Sequence, residues 1–336
     1  MTPNHRARRW AMAGTGLALS LTLAACGGNV AGGGGGDAAE YPDGTITILV
    51  GADPGGSTDL IARAAAEGMS EDLGVAVTVE NRPGANGALS LKELAGEDAD
   101  GQTLAIFNGS LNYITPLAVS ADEAVSIEDY AAVRGLSLDD YVLVTAPDSG
   151  FATVEDLTAA GRTINFGTTG VGTGSQLAQE LLFAQAGIDA TSVPFDGGSP
   201  TLTAVLGGQV DVGAIQLGEA IEQIEAGELT PIVTFAEERP SYLPDTPTAV
   251  EAGYDAPVQQ SRALVAPKGT DAEVIDRLNE ALDSTFETDA YQQFNEDNQL
   301  TPWEVDGSEV TDTYTSKLDD YRAVVEQYGI DLGGDQ

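Results

Sequence analysis

Asp53-Pro54-Gly55-Gly56-Ser57-Thr58-Asp59 stands between a β-branched run, Thr45 to Val50, and a segment in which Leu60, Ile61, Ala64, Ala65 and Met69 recur at the three-and-four spacing of an amphipathic helix. Strand, glycine loop and helix in that order open an α/β unit. The glycines let the backbone approach a ligand, Ser57 or Thr58 can cap the helix, and the free amides of its first turn favour an anion. The stretch therefore reads as a carboxylate or phosphate cradle, and just as well as an ordinary tight turn. Asp59 weighs against the cradle unless it points outward as a cap, because it already places a carboxylate in the field an anion would use.

Outward from that loop the alternation continues. Strands are expected at Val75 to Val79 and Leu104 to Phe107, and a second series begins with a strand at Tyr141 to Thr145. It runs through a strand near Thr163 to Phe166, a helix from Ser175 to Ala186, and strands near Val210 to Ile215 and Ile232 to Phe235. A strand at Leu264 to Ala266 follows, then two closing helices marked by Val274, Leu278, Leu282, Phe286 and by Tyr314, Leu318, Tyr321, Val325. Gly167-Thr168-Thr169-Gly170-Val171-Gly172-Thr173-Gly174-Ser175 repeats the strand, glycine loop, helix arrangement in this second half. One such loop in each half implies a cleft with backbone donors on both walls. Neither loop has the spacing of a dinucleotide or triphosphate fingerprint.

At 336 residues the chain suits two lobes rather than one core. Its only histidine is His5 and its only cysteine Cys26. Beyond residue 26 this removes Ser-His-Asp and Cys-His catalysis, zinc sites built on His or Cys, and disulfides. Three of the 14 basic residues and none of the 53 acidic ones lie in the first 25 positions, so the remainder carries a formal charge of −42. A body so acidic repels phosphate backbones, which argues against nucleic acid as a partner. Few cations are available to hold an anion; the candidates are Arg63, Arg82 and Arg262, each of which also reads as half of a salt bridge. The doublets Asp139-Asp140, Glu237-Glu238 and Asp319-Asp320 resemble glycosidase carboxylate pairs, but chance produces such doublets in a chain this acidic.

Residues 1–25 read as an export signal: a basic start at Arg6, Arg8 and Arg9, an apolar stretch from Trp10 to Leu23, then small residues. Leu23-Ala24-Ala25-Cys26-Gly27 resembles a lipobox, in which Cys26 becomes the lipidated first residue. Residues 26–40, with five glycines from Gly32 to Gly36, then form a flexible tether to a body starting at Tyr41.

Further motifs occur in a fixed order: Tyr41-Pro42, Pro54 to Asp59, Glu80-Asn81-Arg82-Pro83-Gly84-Ala85-Asn86-Gly87, Gly170 to Ser175, Val193-Pro194-Phe195, Gly207-Gly208-Gln209-Val210-Asp211, Ala226-Gly227-Glu228-Leu229, Pro247-Thr248 with Glu251-Ala252-Gly253, and Ala266-Pro267-Lys268-Gly269-Thr270. In this the chain resembles the extracytoplasmic solute receptors of tripartite tricarboxylate transporters, the TctC or Bug family. The resemblance implies an α/β, two-lobed periplasmic-binding-protein-like fold of type II with a ligand cleft between lobes. Residues 41–138 plus 259–336 would form lobe I and 139–258 lobe II. It further implies a lipid-anchored, monomeric receptor, without cofactor or catalysis, that captures a di- or tricarboxylate and passes it to one large and one small membrane subunit. A receptor serving a signalling kinase, or one for another small organic acid, would share these features.

Carried over by position, the ligand-binding residues would be Gly55, Gly56, Ser57, Thr58, Asp59, Asn108, Ser110, Gly172, Thr173, Gly174, Ser175, Gln216 and Arg262. Arg262 leans toward a multivalent acid, and it and Ser175 are expected to hold citrate-like ligands. The chain departs from the family's pattern at Gln176, where many members have His, at Ile215-Gln216, where many have Asp-Asn, and at Asp196, where Lys is frequent. These departures leave the identity of the acid open.

Overall fold

The computed structural model describes residues 41–333. The segment read as an export signal, Cys26 and the segment read as a glycine tether lie outside these residues. Strand β1 (Ile46–Val50) is apolar on both faces, as a central strand covered by helices must be, and its Ile46, Ile48 and Val50 are fully buried. Helix α1 (Ser57–Leu73) carries the chain over to β2 (Val77–Asn81), laying Ile61, Ala62, Ala65 and Met69 on the sheet and ending at Gly74 in the left-handed conformation. Helix α2 (Ala88–Leu94) returns it to β3 (Thr103–Asn108), so that β2, β1 and β3 run parallel. A short helix, α3 (Ser110–Tyr113), follows at the end of β3.

Strand β4 (Tyr130–Thr145) is sixteen residues long. After α4 (Val154–Thr158), which opens on a Thr153–Asp156 capping box, the second parallel set begins. It alternates β5 (Ile164–Thr168), α5 (Gly174–Ala186), β6 (Ala190–Pro194), α6 (Gly198–Leu206) and β7 (Val212–Gln216). Helix α7 (Leu217–Glu225) and strand β8 (Thr230–Thr234) complete that half. The chain then crosses back along β9 (Gln259–Pro267) into α8 (Ala272–Phe286), α9 (Asp289–Asp297), the two-residue β10 (Thr301–Pro302) and the long α10 (Gly307–Tyr328).

The strands line up as β2-β1-β3-β9-β4-β7-β5-β6, with β8 and β10 attached to β4. Strand β4 is the common spine. Its Tyr130–Asp140 portion pairs antiparallel with β9, and Tyr141–Thr145 pairs antiparallel with β7 and β8. The strand expected to begin at Tyr141 is thus the end of a longer one, and the strand expected at Leu264 begins at Gln259. The lobe limits read from the sequence fall inside β4, at 138/139, and at the first residue of β9.

Candidate functional site

A cavity of about 840 Å3 opens where the parallel strands of both sets end. The loops after β1, β2, β3, β5, β6 and β7 all contribute to its wall, the usual place for a ligand in an open parallel α/β sheet. The crossing of β4 and β9 supplies Tyr141, Gln260 and Arg262 as its floor.

The β1–α1 loop can reach the cavity because Gly51 packs directly on Gly87, where a methyl group would overlap the Gly87 backbone. Gly56, Ser57 and Thr58 line the space, as do Asn108, Ser110, Thr173, Gln216 and Arg262. Gly55, Asp59, Gly172, Gly174 and Ser175, expected beside them, do not. Asp59 is 2% exposed and turned inward, not outward as a cap: Oδ2 accepts the Gly55 N–H at 2.9 Å and the Arg63 Nε–H at 3.0 Å, and Oδ1 accepts from Asn81 Nδ2 at 2.9 Å. Burial alone would raise its carboxyl, but these donors outweigh it and hold Asp59 below the usual carboxylate range. Asp59 therefore fixes the shape of the loop, and the Gly55 amide is spent on it.

The second loop is tied down in the same fashion. The Ser175 hydroxyl donates to the Ala214 carbonyl at 2.7 Å and accepts from the Thr169 amide at 3.2 Å, so its hydrogen-bonding capacity is used behind the wall. Gly174 lies against the Tyr141 ring, with no room for a side chain. The Gly172 amide donates to Gln176 Oε1 at 2.8 Å, and its carbonyl accepts from Thr115 Oγ1 at 3.0 Å. Gln176 in turn donates from Nε2 to the Leu332 carbonyl at 3.2 Å, which anchors the loop to the end of the chain. Thr173 caps α5, accepting the Gln176 amide at 3.3 Å.

Among the described residues, Arg262 is the only basic one in the wall, and it is 2% exposed. Its charge is already matched: Nη1 bonds to Asp139 Oδ2, and Nε donates to Thr58 Oγ1 at 3.0 Å. Asp139 Oδ2 also accepts from Ser57 Oγ at 2.8 Å, and Thr58 Oγ1 donates to Asn108 Oδ1 at 3.4 Å. One buried network thus joins the start of α1 to the end of β3 and to the interiors of β4 and β9. The other proposed cations stay outside it. Arg63 pairs with Asp59, and the exposed Arg82 pairs with Glu80 and Glu93.

The sequence reading missed Asp139, Tyr141, Gln260 and Glu219. Asp139 had a signal, the Asp139-Asp140 doublet, but nothing along the chain pointed to Arg262, 123 residues away. Glu219 had none. It projects from the first turn of α7, where Oε1 accepts the Ser57 amide at 3.5 Å and Oε2 is buried with no partner. Burial raises its carboxyl above the usual range, an effect the Ser57 amide and Arg262 partly offset.

The curled α/β sheet and its cleft define the class: a two-lobed periplasmic-binding-protein fold. The model of the tripartite tricarboxylate transporter family receptor matches residues 61–330, so the chain belongs to that family. It is a family of periplasmic substrate-binding receptors, not of enzymes. A UPF0065 protein from the TAR-I ttuE-ttuC' intergenic region of Agrobacterium vitis is 35% identical over 249 residues, covering 72% of this chain and 71% of its own. Protein BugT of Bordetella pertussis is 32% identical over 260 residues, covering 74% and 78%. Among solved structures, MatC from Rhodopseudomonas palustris with bound malate superposes with a TM-score of 0.78 at 26% identity, covering 85% of this chain and all of that one. A second protein from R. palustris, solved with adipate, gives a TM-score of 0.82 at 23% identity, covering 88% and 100%.

Proposed function

We propose that this chain is the extracytoplasmic substrate-binding lipoprotein of a tripartite tricarboxylate transporter, held to the membrane through Cys26. It captures a small organic carboxylate and delivers it to one large and one small membrane subunit, without catalysis. Residues 41–138 with 259–336 form one lobe and 139–258 the other, and the lobes close over the ligand.

One observation carries this reading. The amino-terminal turn of α1, with Gly56, Ser57 and Thr58, lines a cavity at the carboxyl ends of both parallel strand sets, in the fold that MatC presents with malate. The ligand is a di- or tricarboxylate, although the Arg262 charge that pointed to a multivalent acid is paired with Asp139. A thermal-shift screen of mono-, di- and tricarboxylates tests the assignment. At least one small di- or tricarboxylate should raise the melting temperature by several degrees at millimolar concentration, as mass action requires. A flat response to every acid, amino acids included, overturns it.

A further inference from the structure

The Gly55, Gly56 and Ser57 amides at the start of α1 are each taken from within the chain. Gly55 donates to Asp59 Oδ2 at 2.9 Å, Gly56 to the Asp53 carbonyl at 3.4 Å, and Ser57 to Glu219 Oε1 at 3.5 Å. Arg262, on the cavity floor, is paired with Asp139. A ligand carboxylate that reaches this turn therefore has to replace an internal acceptor.

The internal carboxylates are not held equally. Asp59 accepts from Gly55, Arg63 and Asn81, and Asp139 accepts from Arg262 and from the Ser57 and Ser137 hydroxyls; both are buried. Glu219 has the long Ser57 bond alone, and its Oε2 is inaccessible and without a partner. A buried carboxylate oxygen that no donor meets is a cost the other two do not bear, so Glu219 is the one that yields. As a residue it is half-buried and lines the cavity, which gives its side chain somewhere to turn.

The place it occupies nonetheless attracts an anion. Neither α1 nor α6 has a side-chain cap at its amino end, at Gly56 and Gly197, and Glu219 stands at both. Oε1 meets the Ser57 amide, and Oε2 crowds the Gly198 backbone so closely that a methyl group there would overlap it. The positive ends of two helices, one from each half of the chain, thus converge on one carboxylate carried by a third helix, α7.

We propose that Glu219 is a built-in competitor of the ligand: its carboxylate stands where a ligand carboxylate binds, joining the two halves of the cleft, and is displaced when an acid takes its place. This rests on the receptor reading above and adds to it the residue that sets the affinity. Apparent affinity falls in proportion to the fraction of molecules whose site is already taken. The same exchange favours release, because a tethered carboxylate is always at hand to retake the amide.

Isothermal titration of the purified full-length wild type, Glu219→Gln and Glu219→Asp with succinate, malate, adipate and citrate near neutral pH tests this. Glu219→Gln should bind at least one of these acids about tenfold tighter than the wild type, or bind one that the wild type does not. Glu219→Asp keeps the charge but is a methylene shorter and gives up Ser57, so it should tighten as well. A gain in Glu219→Gln with wild-type affinity in Glu219→Asp overturns the proposal, since the charge alone would then be repelling the acid. Equal or weaker binding by Glu219→Gln also overturns it and leaves the receptor assignment in place. Binding of none of the acids to any folded form removes both readings. Should a variant fail to fold, a crystal structure of the wild type with its tightest acid reads the same point. Glu219 off the Ser57 amide, with the acid's carboxylate in its stead, is the expected result; Glu219 still on Ser57 beside a bound acid is the overturning one.

Discussion

At the scale of single residues, the site is held together by contacts between residues far apart in the chain. Arg262 and Asp139 are both almost wholly inaccessible, and each satisfies the other. Removing one member of such a pair strands a buried charge, which typically costs about 3–5 kcal/mol. Arg262→Ala is therefore expected to lower the unfolding free energy by roughly 3 kcal/mol or more in urea titration. A loss under about 1 kcal/mol would mean that the pair contributes nothing. Of the two roles open to Arg262 from the sequence, ligand contact and half of a salt bridge, the second is the one this measurement reads. The loops on both walls were readable from their glycines and hydroxyls, because loop chemistry is local. Glu219 was not, because a glutamate in the first turn of a helix is an ordinary surface residue until folding carries Ser57 to it from 162 positions away.

At the scale of elements, the regular units were legible where their periodicity is unbroken, as in β1, α1, α5, α8 and α10. Strand β4 was legible only in its last five residues. Its earlier part, Tyr130–Asp140, shifts register against β9 between Ala132 and Arg134 and again between Gly135 and Ser137. Such bulges destroy the two-residue alternation by which a strand is recognised. Helix α5 carries a testable electrostatic feature of its own. Burial, reinforced by Asp331, pushes the Glu180 carboxyl up to about 7 from an ordinary value of 4.5. A raised carboxyl favours the folded state while protonated. Its contribution is complete below pH about 4.5 and disappears as pH rises through about 7. Between about pH 5 and pH 8 the wild type should lose several degrees of melting temperature that Glu180→Gln keeps. Parallel pH dependence in the two proteins would show that Glu180 is not responsible.

At the scale of the whole molecule, 53 acidic residues against 14 basic ones give a formal charge of −39. Self-repulsion of that size opposes compaction and is screened over about 8 Å at physiological ionic strength. The melting temperature should therefore climb by several degrees between about 0.01 M and 0.5 M sodium chloride. No change, or a fall, would mean that the acids are spaced widely enough not to interact. The fold itself was legible from the ordered motifs spread along the chain, since they mark the turns at which strands hand over to helices. Which cations stay free was not legible, because that depends on how the two halves meet.

The bridge through Gln176 has a practical corollary. One amide links the cleft loop at Gly172 to the carbonyl of Leu332, next to the exposed Asp331. Because Cys26 is the sole native cysteine, a protein without it that carries Asp331→Cys would take a single fluorophore beside that strap, placed to report whether ligand in the cleft disturbs it.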